Sequence, residues 1–188
     1  TVSFIFYLRR RNTMEITLIR HTRVAIPPGI VYGATDVNVA STFEEEAQIV
    51  ASHIRDKKFD AVFCSPLTRC RKLAAFCGYP APIIDERLKE LNFGKWEMQA
   101  WNKIEDPLIE KWYADWVNIP AGGGESFHQQ YLRVAGFLSE IKRETFDKVC
   151  LFAHSGTIRC ARIYIGKTDF KSAFSDEIPF GDILTIHI

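Results

Sequence analysis

Apolar positions along this chain alternate between two periods, and that alternation predicts its architecture. Short, nearly unbroken apolar runs occupy residues 15–19 (E-I-T-L-I), 59–64 (F-D-A-V-F-C), 83–84 (I-I), 148–153 (K-V-C-L-F-A) and 183–188. Runs of this length, rich in β-branched and aromatic residues, predict strands, buried for the first, second and fourth. Between them the apolar residues recur at helical spacing. Phe43, Ala47, Val50, Ala51 and Ile54 form one face of a helix expected to reach about Lys57. Ser41 or Thr42, with Glu44 or Glu45 three residues on, resembles a capping box at its start. Ser65-Pro66 predicts an N-cap and first helical residue for a second helix, which carries Arg69, Arg71 and Lys72 and ends near Cys77-Gly78. Phe127, Tyr131, Val134, Phe137, Leu138 and Ile141 mark a long helix, and another is expected from about Thr157 to Ile165. Strands alternating with helices imply an α/β fold, a three-layer α/β/α sandwich around a mostly parallel sheet with the last strand at its edge.

Other stretches are less regular. Residues 22–40 form a long loop with Pro27, Pro28, Gly29 and Gly33, and long loops at strand ends often face substrate. Residues 85–120 hold all four tryptophans, with short helices expected near residues 101–104 and 108–116. Gly122-Gly123-Gly124 reads as a flexible joint. The apolar run from Phe4 to Leu8 is too short to span a bilayer, and its arginines follow it, unlike the charges of a signal peptide. Met14 directly precedes the first strand. Residues 1–13 therefore read as an extension upstream of the natural start, or else as a tail packed on the surface, and residues 14–188 as the domain.

Composition narrows the function classes. A chain of 188 residues, 47% apolar and 25% charged, fits one globular domain with a single core. Net charge is +1 without long blocks of like charge, which argues against a nucleic-acid or membrane surface. Five cysteines, with no C-x-x-C pair, point to reduced thiols in a cytoplasmic protein and not to disulfides or a zinc site. No metal or other cofactor is expected.

Two predicted strands end in chemistry. The first stops at Arg20-His21, and the fourth at His154-Ser155-Gly156 just before a helix. In a parallel sheet both ends share the edge where open α/β folds bind ligands. Arg69, near the start of the second helix, faces the same edge. Two arginines, two histidines and helix N-termini suit a phosphate dianion, and without an anionic ligand they would repel one another.

The fragments L-I-R-H-T, C-S-P-L-T-R-C-R-K-L-A, E-L-N-F-G-K-W-E, G-G-E-S-F and H-S-G-T-I-R, in this order, resemble the histidine phosphatase superfamily, the phosphoglycerate-mutase-like group. The resemblance runs from Met14 almost to the end. It implies that His21 is phosphorylated during turnover and that Arg20 and Arg69 hold the phosphoryl oxygens. His154, with Ser155 beside it, would complete the phosphate pocket. It further implies that Glu90 is the proton donor, with Glu97 as a less favoured alternative. The chemistry is coherent: a neutral imidazole, oriented through its other nitrogen, attacks phosphorus. Arg20, Arg69 and a cationic His154 stabilise the equatorial oxygens, and a protonated Glu90 assists the leaving alkoxide.

The sequence departs from the common pattern at Thr22 and Ser155, each in place of a glycine. Residues 23–28 lack the acidic residue and asparagine often found there. The segment also fails to match the R-H-G-x-R-x-P form of secreted acid phosphatases. The loop G-I-V-Y-G-A-T-D-V, residues 29–37, resembles that of α-ribazole phosphatases. This implies a small-molecule phosphate monoester, α-ribazole 5′-phosphate of cobalamin nucleotide-loop synthesis, with Thr22, Tyr32 and Gly33 near the substrate. The alternatives are a broad sugar-phosphate phosphatase, a phosphoglycerate-mutase-like enzyme, or a non-catalytic phosphate-binding module. The compact length favours a phosphatase over a mutase, and Glu90 beside His21 argues against a mere binder.

Overall fold

The computed structural model describes residues 13–188, so the reading of the preceding segment as an upstream extension lies outside the described residues. Five strands form one sheet in the order β3-β2-β4-β1-β5. They are β1 (Glu15–Arg20), β2 (Ala61–Cys64), β3 (Ile83–Ile84), β4 (Lys148–Ala153) and β5 (Ile183–His187). β1, β2, β3 and β4 pair in parallel, and β5 runs antiparallel to β1 at the edge.

The inner strands β2, β4 and β1 read as continuous apolar runs because helices cover both faces of the sheet there, whereas β3 at one edge is exposed. Ile16, Leu18, Phe63, Val149 and Leu151 pack towards α4 (Phe127–Ile141) and α5 (Ser155–Tyr164). Ile19, Cys64, Cys150 and Phe152 pack towards α1 (Phe43–Ile54) and α2 (Thr68–Phe76). A smaller cluster around buried Trp96 joins Trp101 and Trp112, the latter on α3 (Leu108–Ala114). The predicted sandwich is therefore present, with an aromatic annex to one side.

Local details differ from the sequence expectations. α1 begins without a capping box: the Thr42 hydroxyl donates to Glu46 (2.6 Å) and leaves the backbone uncapped. α2 starts at Thr68, not Pro66, because Leu67 is still extended (φ −70°, ψ 137°). The start of α2 is served by Asp36, whose carboxylate accepts from the Thr68 N–H (2.7 Å) and hydroxyl (2.6 Å). α4 carries a full capping box, Ser126 with Gln129. The glycine run is no joint. Gly122 is buried at φ +55°, and a Cβ there would come 2.8 Å from Cγ of Trp96. Only glycine permits that left-handed turn at such close quarters.

Candidate active site

Register brings the two strand ends together. Arg20 pairs with Ala153 across β1 and β4, so His21 and His154 follow at the same edge of the sheet. Their rings lie 5.1 Å apart, edge to face. His21 is buried, and its Nδ1 is 2.7 Å from the carbonyl oxygen of Thr22. A carbonyl can only accept, so Nδ1 carries the proton and Nε2 keeps its lone pair. Arg69 Nε donates to that Nε2 at 3.3 Å. Burial, then His154 and Arg69, hold the His21 pKa well below its ordinary value, and the imidazole is neutral.

Arg69 is fully buried and aimed by the loop after β1: it donates to the carbonyls of Gly33 (2.6 Å) and Thr35 (3.0 Å). That loop is pinned by Glu97, which accepts from the N–H groups of Ala34 (2.9 Å), Thr35 (2.6 Å) and Phe93 (3.0 Å). Glu97 is thus committed to loop backbone. Arg20 donates to the Ile178 carbonyl and lies 3.9 Å from the centre of the Phe180 ring.

His154 is fully buried, with Nε2 2.8 Å from Ser65 Oγ and 3.5 Å from Cys70 Sγ. Without an anion in the pocket, burial, with the fields of Arg69, Arg133 and Arg20, lowers the His154 pKa well below normal, so this histidine is neutral there. Ser65 serves this histidine, and its predicted helix start lies elsewhere.

Two effects oppose each other at Glu90. Burial pushes its pKa up, but hydrogen bonds from Gln130, Gly156 and Leu91 and the charge of Arg69 outweigh that, and the net shift is downward. The carboxylate is ionised at neutral pH, so an acid role requires an added negative charge nearby.

A cavity of about 230 Å³ opens at this edge, lined by Arg20, His21, Tyr32, Glu90, Gln130 and Ser155 together with apolar and aromatic side chains. Arg69 and His154 stand behind His21 and do not line it. Thr22 and Gly33 do not line it either: each contributes a carbonyl, to His21 and Arg69 respectively. Sequence reasoning missed Gln130, whose one visible signal is a polar residue on the apolar stripe between Phe127 and Val134. It also missed Phe174 and Phe180, which lie in a loop without periodicity. Among the described residues no group of His, Cys, Asp and Glu could hold a metal ion, and no helix is long and apolar enough to cross a membrane.

Phosphoserine phosphatase 1 of Hydrogenobacter thermophilus is 25% identical over 181 residues, 90% of this chain and 86% of its own length. The adenosylcobalamin/alpha-ribazole phosphatase of Escherichia coli is 27% identical over 154 residues, 77% of this chain and 75% of its own. The solved alpha-ribazole phosphatase of Shigella flexneri shares the fold with a TM-score of 0.84 at 23% identity, covering 92% of this chain and 89% of that one. The profile of the histidine phosphatase superfamily (branch 1) matches residues 16–187, a span that includes every residue of the pocket just described, and the chain belongs to that superfamily.

Proposed function

We propose that this protein hydrolyses phosphate monoesters through a phosphohistidine on His21, and that its substrate is α-ribazole 5′-phosphate. The observation that carries the chemistry is the state of His21. Its Nδ1–H is fixed on the Thr22 carbonyl, and Nε2 is unprotonated. Nε2 attacks phosphorus and the ester P–O bond breaks, while Glu90 gives its proton to the leaving alkoxide. A water then attacks the phosphohistidine, Glu90 takes its proton, the P–N bond breaks and inorganic phosphate leaves. Arg20, together with Arg69 as its Nε–H moves from His21 to a phosphoryl oxygen, neutralises the equatorial charge. Ser155 completes the phosphate pocket by hydrogen bonding, and His154 supports it from behind His21.

The outer cavity favours an uncharged aromatic leaving group. Beyond Arg20, His21 and Glu90 its wall is mostly apolar and aromatic, with Val31, Tyr32, Phe93, Trp101 and Phe174 among its residues and polar atoms from Gln130 and Ser155. A benzimidazole ring finds faces to stack on there. The ammonium and carboxylate of phosphoserine would find no charged partner that the phosphoryl group does not already engage. Residues 14–188 form the catalytic domain, and the five free thiols fit the cytoplasm.

Catalytic efficiency on α-ribazole 5′-phosphate, phosphoserine, 3-phosphoglycerate and sugar phosphates tests the substrate. A preference of roughly tenfold or more for the first is expected, and a higher value for any other replaces it. His21→Ala should lose the acid-labile phosphoenzyme and roughly 10³-fold or more in rate, with wild-type activity unmoved by chelators. Full activity in that variant would exclude the phosphohistidine.

A further inference from the structure

The Glu90 carboxylate is surrounded by donors. Oε1 accepts from the Leu91 N–H (2.9 Å) and Gln130 Nε2 (2.9 Å). Oε2 accepts from Ser155 Oγ (3.1 Å) and the Gly156 N–H (3.1 Å). Such a shell suits an ionised carboxylate and offers nothing to receive a carboxylic proton. Leu91 and Gly156 contribute backbone amides, which can never accept. Ser155 could turn its hydroxyl, but only Gln130 brings a whole unused acceptor: it is fully buried, and its Oε1 has no partner among the described residues. Buried polar atoms rarely go unpaired without a reason. Both ends of the amide also pack alike against α5. A Cβ on Gly156 would meet Nε2 at 2.7 Å and Oε1 at 2.8 Å, so glycine there leaves room for either end.

We infer that Gln130 is a positioning residue whose side-chain amide reverses with the protonation of Glu90, Nε2 donating to the carboxylate and Oε1 accepting from the carboxylic acid. The inference rests on the acid role of Glu90 proposed above. Reversal exchanges two atoms of nearly equal size, and one hydrogen bond to Glu90 is traded for another. It turns Nε2 away from Glu90 within the cavity wall, where a phosphate ester supplies acceptor oxygens. One proton is taken up from water as the phosphate dianion enters, and that proton leaves with the alcohol.

The charged and titratable groups facing Glu90 come from every neighbouring element. They are Arg20 at the end of β1, His21 and Tyr32 after it, and Arg69 and Cys70 in α2. Arg133 of α4 donates to the Glu90 carbonyl (3.1 Å), and His154, Arg159 and Cys160 lie at and in α5. The arginines favour the carboxylate. A phosphate dianion on Arg20 and Arg69 cancels that preference, and the reversed amide then stabilises the acid.

The test follows the Glu90 carboxyl by ¹³C NMR against pH, with and without inorganic phosphate, in wild type and Gln130→Met. Phosphate should raise the Glu90 pKa in wild type. In Gln130→Met the carboxylate loses a donor and the acid loses its acceptor, so the phosphate-linked rise should shrink. Turnover of an alkyl phosphate should fall roughly tenfold, and that of an aryl phosphate less. An undiminished rise in Gln130→Met overturns the role of Gln130. No rise in wild type overturns the acid role of Glu90 itself, so the two failures are distinct. Should the variant not fold, the Gln130 side-chain ¹⁵NH₂ resonances of wild type give the same reading: they must move on phosphate addition, and their constancy overturns the inference.

Discussion

The Nδ1–H of His21 is spent on the carbonyl of the very next residue, a bond that backbone geometry alone supplies. Thr22 can therefore replace a glycine without touching the proposed nucleophile, because its carbonyl and not its side chain does the orienting. The proton donor proposed above is the more demanding part. Glu90 must gain a proton that its four donors and Arg69 oppose, and only substrate charge can shift that balance. Glu90→Gln should accordingly slow hydrolysis of an alkyl phosphate by roughly 100-fold while sparing a good aryl leaving group, measured as the ratio of the two kcat values. Equal losses on both would assign the acid role elsewhere. Arg20, His21 and His154 stand out in the sequence because each ends an apolar run, Arg69 because it opens a helix at the same sheet edge, and Glu90 only through the family resemblance. Gln130 does not, since one glutamine on a helix looks like a surface residue until burial is known. The segment E-L-N-F-G-K-W-E offered two carboxylates, and only their surroundings separate Glu90 in the cavity from Glu97 on the loop backbone.

At the scale of elements, strands and helices were readable wherever their determinants are local. The four parallel strands follow from apolar runs, and α4 follows from its stripe. α2 shows where this fails. Ser65-Pro66 has the chemistry of a helix start, but the Ser65 hydroxyl faces His154 and the helix waits until Thr68. The first-turn donors are met by Asp36, distant in sequence and near in space. This arrangement ties the loop after β1 to α2, and the same loop carries the Gly33 and Thr35 carbonyls that aim Arg69. Asp36→Ala should lower stability by about 1 kcal/mol, as for a lost N-cap. It should also raise KM for the phosphate ester more than it lowers kcat, because a looser loop misdirects a binding arginine. Asp36→Asn, which still accepts, should restore most of both. Urea unfolding and steady-state kinetics on the two variants check this, and an Asp36→Ala protein of unchanged stability would refute the cap.

Across the whole molecule, the pocket makes stability depend on pH in a window set by two imidazoles. In the unfolded chain His21 and His154 protonate near pH 6.5. In the fold, burial first, and then His154, Arg69 and Arg20 for His21 and Arg69, Arg133 and Arg20 for His154, hold both well below that value. Below pH 6.5 the unfolded state therefore binds two protons that the native state does not. Stability then falls as pH falls, by up to about 2.7 kcal/mol per pH unit while both native imidazoles stay neutral. Glu90 acts in the same direction but lower down. Its folded pKa is depressed, so its contribution is lost only as pH drops through a range below the ordinary carboxylate value. Urea midpoints between pH 7 and pH 5 thus isolate the histidines. A steep decline is expected in wild type, and His154→Asn should roughly halve its slope. A flat profile would mean that both imidazoles titrate normally and that the pocket does not exclude charge. Added inorganic phosphate should flatten the decline, because an anion on Arg20 and Arg69 lets the folded protein accept the protons it otherwise refuses.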